Sequence, residues 1–105
     1  MTTIPDPRDT EPMPESERSI YDEIRAERRR AHAKHRETSM ESMPVDSLDR
    51  YAILGEEVGE IAKEFNEARH RGGPLDLVAL REECIQVAAM ATAWADALTR
   101  AVTRG

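Results

Sequence analysis

Two acidic doublets interrupt the most apolar part of this chain. One is in GEEVGE, residues 55–60, and the other in REECIQ, residues 81–86. A carboxylate on a solvated helix face needs no explanation. A carboxylate turned toward a core does, because a buried charge is costly unless something pairs with it. Glu57 with Glu60, and Glu83 with Gln86, are spaced i, i+3, so on helices each pair points into one space. Facing each other across a bundle, they would offer hard oxygen ligands of the kind that suit Mg²⁺ or Mn²⁺. Carboxylate-bearing helices are a known way to line a metal site in a bundle core. The competing explanation is a buried ion pair with Lys34, Lys63 or Arg81.

The elements that would position these groups are helical. Residues 1–15, MTTIPDPRDTEPMPE, contain four prolines and no apolar period, and are expected to be a disordered tail. The remainder, residues 16–105, is expected to be one helical domain. Ser16 or Ser19 is a plausible cap for a first helix through IYDEIRAERRRAHAKH, with Ile20, Tyr21 and Ile24 as its apolar edge. RETSMESMPVDS, residues 36–47, reads as a connection. Asp46 or Ser47 then caps a second helix over 48–70, which RGGP at 71–74 stops. Asp76 is expected to cap a third helix reaching about Arg100.

On a wheel of about 100° per residue, Leu54, Val58, Ile61, Ala62 and Phe65 form the apolar arc of the second helix, continued by Leu48 and Tyr51. Glu57 borders that arc, and Glu60 can point into the same space. Glu56, Glu64 and Glu67 read as solvated. On the third helix, Leu80, Val87, Met90, Trp94 and Leu98 define a face with Glu83 at its centre and Gln86 at its edge. Outside that face come Cys84, Ile85 and a series of alanines. A helix apolar nearly all round is covered on more than one side, and in so short a chain a second subunit is the expected cover.

Composition supports this architecture. Hydrophobic residues are 39% and aromatics only 4% of the 105 residues, so aliphatic side chains must build the core, which favours helices over a β-sandwich. A single core of this size is marginal, and self-association is a common remedy. The net charge of −6 argues against a nucleic-acid polymer as partner. The single cysteine, Cys84, excludes an internal disulfide and fits a reducing compartment. No signal pattern and no membrane-length apolar run is present, so the expected location is the cytoplasm.

EEVGE (56–60) followed by ExxQ (83–86) in an all-helical chain resembles the all-α nucleoside triphosphate pyrophosphohydrolases of the MazG type, whose pattern is EExxE, a spacer, then ExxD. The likeness spans roughly residues 20–100 and is greatest to the small actinobacterial and phage forms, in which an AHxKH-like stretch also precedes the EExxE helix. The resemblance implies an all-α bundle completed by homo-oligomerisation, as a dimer or a dimer of dimers. It implies Mg²⁺, with Mn²⁺ as a possible substitute, and hydrolysis of a (deoxy)nucleoside triphosphate to the monophosphate and pyrophosphate. Carried over by position, Glu57 and Glu60 match the first metal-binding pair and Glu83 the first acid of the second pair. Glu56 matches the leading acid, a ligand or water-orienting group. The final position departs from the family: Gln86 stands where Asp is expected. A glutamine carbonyl can still coordinate, but it carries no charge and cannot act as a base. Glu82 and Glu64 are the nearest substitutes by sequence. The departure keeps open an alternative reading: a weak or inactive MazG-like module that binds a nucleotide or acts through protein contacts.

Other residues enter with smaller weight. Lys34 and His35 could meet a triphosphate, or could be a solvated helix end favoured by the helix dipole. Trp94 could stack on a base or belong to the core. His32, His35 and His70 have no zinc-like spacing with Cys84. RGGP lacks the GxxxxGK[ST] of a phosphate loop.

Overall fold

The computed structural model describes residues 15–104, which form three α-helices and no strand. The expected tail lies outside the described residues except for Glu15, which opens the first helix, α1 (Glu15–His35). Ser16 and Ser19 therefore sit inside α1 rather than capping it. Its charge pattern follows the helix dipole: Glu15 and Glu17 in the first turn, His32, Lys34 and His35 in the last. A 3-10 turn (Arg36–Thr38) and an irregular stretch lead to α2 (Leu48–Arg71). The Ser47 hydroxyl caps α2 by accepting from the Asp49 amide at 3.1 Å.

The RGGP stop works as its chemistry requires. Gly72 takes φ 66°, in the left-handed region that favours glycine. The amides of Gly72 and Gly73 donate back to the carbonyls of Arg69 and Ala68 at 3.2 and 3.3 Å, satisfying carbonyls that the helix end leaves open. The third helix, α3 (Leu77–Arg104), is capped by Asp76, whose Oδ1 accepts from the Ala79 amide at 3.0 Å. It runs past the expected end at about Arg100.

Helix α3 is central. Both α1 and α2 pack on it, and among the described residues α1 and α2 make no close backbone approach to each other. Glu23 of α1 pairs with Arg81, and Arg28 with Asp96 further along, so α1 and α3 run in the same sense. The tightest packing on α3 runs through Ala89, Ala93 and Ala97, which are buried at i, i+4 spacing. The larger residues of the expected face, Leu80, Val87, Met90 and Trp94, are only half-buried, and Leu98 is exposed. Small side chains let the helices come together, so the alanines rather than the leucines carry the contact.

The α2 arc departs further from expectation. Leu48, Tyr51, Val58 and Phe65 are 79%, 67%, 51% and 50% exposed. With Gly55 and Ala62, also exposed, they form a seam spaced alternately three and four along α2, the pattern of one helix prepared for another. Nothing within the described residues covers it.

The connection from α1 to α2 is anchored more firmly than its composition suggests. Arg50 is completely buried, and its guanidinium donates to the carbonyls of Met40, Met43 and Pro44. Trp94 Nε1 donates to the Val45 carbonyl at 2.9 Å. Arg28 holds Glu41 at 2.7 Å and Asp96 at 3.0 Å. The stretch is thereby tied to all three helices.

Candidate functional site

Because α1 and α2 meet α3 but not each other, a cleft of about 800 Å³ opens between them. One wall carries Glu27, Arg30, Lys34 and His35 of α1; the other carries Asp49, Ile53, Glu56 and Glu57 of α2. Gln86 and Met90 of α3 form its floor, and Met40 and Met43 of the anchored connection close one end. The walls differ in chemistry. The α1 side supplies cationic and imidazole groups together with one carboxylate, Glu27, which Arg30 pairs, and the charged groups of the α2 side are all carboxylates.

The structure thus brings Lys34, His35, Glu56, Glu57 and Gln86 to one cavity. Glu83 lies one helical turn before Gln86 on α3. Glu60 is exposed, one turn beyond Glu57 on α2. Trp94 does not line the cleft, and its only N–H donor is already used by Val45. It pins the connection to α3.

Two oxygens stand out. Glu57 Oε2 and Glu83 Oε2 are both cut off from solvent, and neither has a hydrogen-bond partner. Buried polar atoms are nearly always satisfied, so two orphaned carboxylate oxygens on facing helices need a cause. Their titration shows the same frustration. Burial raises the pKa of Glu57 above the ordinary value, and the charges of Glu83, Glu60, Glu27 and Glu56 push it the same way. Burial also raises the pKa of Glu83, with Glu60, Glu64 and Glu82 adding to it and Lys63 partly offsetting it.

The ion-pair explanation fares poorly. Arg81 is engaged elsewhere, with its Nη1 2.9 Å from Glu23 Oε1. Lys63 makes only the smallest of the contributions acting on Glu83. Lys34 stands on the far wall of the cleft. Glu64, expected to be solvated, is half-buried and bears on Glu83, whereas Glu82 is exposed.

The donor set fits a divalent cation. The buried orphans are hard anionic oxygens, and they lack the counter-charge that such a cation would bring. Among the described residues, no three carboxylate, imidazole or thiolate side chains stand close enough together to hold a metal ion as they are placed.

Glu27 escaped the sequence reading. It sits on a helix that reads as a charged, solvated surface, yet its side chain is only 15% exposed. The signal was the i, i+3 spacing to Arg30, whose Nε donates to Glu27 Oε2 at 2.9 Å. Comparison with family models, curated proteins and solved structures gives no match.

Proposed function

We propose that this chain is a Mg²⁺-dependent nucleoside triphosphate pyrophosphohydrolase of MazG-like type, acting as a homo-oligomer on a free (deoxy)nucleoside triphosphate. The observation that carries the reading is the pair of orphaned oxygens on Glu57 and Glu83 beside a cleft with a cationic opposite wall. Glu57, Glu60 and Glu83 would hold the cation through carboxylate oxygens, and Gln86 would add its side-chain carbonyl. A cation held there supplies positive charge to phosphate oxygens and lowers the pKa of an attacking water.

The chain's own groups supply the rest. Lys34 and His35, which line the α1 wall of the cleft, would donate to the triphosphate as its charge builds. Glu56 is exposed on the acidic wall and lines the cleft, the place for a group that orients water. Met43 at the closed end presents polarisable, adaptable surface suited to an aromatic ring. The exposed seam from Leu48 to Phe65 supports self-association, since a second copy laid along α2 would cover side chains this chain leaves in water.

One specific residue favours a second reading. Gln86 removes a charge and a base from the site, which suits a module that binds a nucleotide without hydrolysing it. A third possibility, a structural helical dimer, calls for no cation. Melting curves with Mg²⁺, and with Mg²⁺ plus a non-hydrolysable triphosphate analogue, separate these. The enzyme and the binding module both require stabilisation by Mg²⁺ and more with the analogue, because ligands that bind only the folded state raise stability. Unchanged melting under both conditions leaves the structural dimer.

A further inference from the structure

We propose that Glu27 of α1 is the fourth carboxylate of the cation site, supplying the charge that Gln86 lacks, and that Arg30 holds it in reserve until a divalent cation binds. The inference rests on the cation-site reading above and concerns a residue outside both acidic motifs.

Position makes the case. Glu27 and Arg30 line the main cleft together with Glu57 and Gln86. They also line, again with Gln86, a smaller cleft of about 400 Å³ between α1 and α3. Glu27 therefore stands at the junction of the two, next to the position where the expected aspartate is replaced. It is close enough for its charge to act on Glu57, and Arg30 in turn feels the charge of Glu57.

The pairing is unequal. Arg30 is 60% exposed while Glu27 is 15% exposed, so the arginine reaches in from solvent to a carboxylate that is mostly enclosed. An ion pair with so solvated a partner is weak and readily exchanged. The guanidinium satisfies Glu27 and leaves the buried oxygens of Glu57 and Glu83 without partners. A divalent cation carries the charge to answer Glu27, Glu57 and Glu83 together once their side chains close on it, which Arg30 does not do from where it sits. Exchange would free a planar, multi-donor guanidinium at the edge of the cleft, a group matched to phosphate oxygens.

The test is Mn²⁺ binding to the full chain without nucleotide, read from the electron paramagnetic resonance signal of free Mn²⁺. It uses the natural protein, Glu27→Gln, Arg30→Gln, Glu83→Gln and the double variant Glu27→Gln/Gln86→Asp. Loss of one anionic ligand should weaken Mn²⁺ binding by about tenfold or more in Glu27→Gln. Arg30→Gln should bind Mn²⁺ more tightly than the natural protein, and the double variant should recover most of the loss. A merely structural Glu27 would not be rescued by an acid at position 86. If Glu27→Gln binds Mn²⁺ as the natural protein does while Glu83→Gln does not, the role of Glu27 is refuted and the cation site stands. Weaker binding by Arg30→Gln refutes the reserve pairing. If the natural protein binds no Mn²⁺, the cation-site reading fails and takes this proposal with it.

Discussion

Replacing Glu83 by glutamine should stabilise the cation-free protein at neutral pH, an unusual outcome for a half-buried residue beside an apolar helix face. The substitution keeps the shape and removes the charge. Only one of the two carboxylate oxygens is enclosed and unpartnered, so the relief is at the lower end of the cost of a buried unsatisfied group, about 1 kcal/mol. For a domain near this size that corresponds to a rise in melting temperature of about 4–8 °C. The pH dependence follows from the direction of the shift. Burial and neighbouring acids raise the pKa of Glu83 from its ordinary 4.5, so the folded chain holds this proton more tightly than the unfolded chain. The stability it contributes is full below the unfolded value and is lost as pH rises through the raised folded value. Natural protein and Glu83→Gln should therefore melt alike near pH 4 and diverge above it. The assay is helix content followed by circular dichroism during heating, in chelator, at several pH values. In Mg²⁺ the order should invert, since the natural protein gains a ligand that the variant binds poorly. A lower melting temperature for Glu83→Gln at neutral pH in chelator would refute the reasoning, because it would mean that Lys63 or another cation already satisfies the carboxylate.

Arg50→Met should destabilise the chain by more than about 2 kcal/mol in chemical denaturation, because three main-chain carbonyls lose a buried donor. Gly72→Ala should cost about 1 kcal/mol by the same measurement, as an alanine is strained at φ 66°. Trp94→Phe should lower stability by about 1 kcal/mol through loss of the Val45 hydrogen bond, while leaving the affinity for a triphosphate analogue, measured by calorimetry, unchanged. Tyr51→Glu with Phe65→Glu, placed on the exposed α2 seam, should shift sedimentation toward monomer, whereas a chain monomeric before the change would contradict the self-association reading.

Much of the fold is legible because local chemistry and tertiary structure agree. Ser47, Asp76 and the RGGP stop each act through hydrogen bonds within a few residues, so their roles follow from spacing. The wheel also located Glu57 and Glu83 correctly as carboxylates denied full solvation. What it could not show was which side of a nearly all-apolar α3 the neighbours would choose. They chose the alanines, since small side chains permit close approach, and this left Leu98 and the α2 arc uncovered. Arg50 and Glu27 were missed for a related reason. A lone charged residue reads as surface, and only the path of the connection buries Arg50, just as only the position of α1 against α3 brings Glu27 to Gln86. Trp94 illustrates the converse, as its side chain offers one donor and a carbonyl distant in sequence takes it.

The most direct test of the central claim is pyrophosphate release from a panel of canonical and modified (deoxy)nucleoside triphosphates in Mg²⁺ or Mn²⁺, comparing the natural protein with Glu83→Gln and Gln86→Asp. The account predicts cation-dependent release by the natural protein, its loss in Glu83→Gln and an increase in Gln86→Asp. Silence of the natural protein with activity gained by Gln86→Asp would contradict the enzyme and establish the binding module, and silence of all three would contradict the catalytic reading of the two acidic motifs.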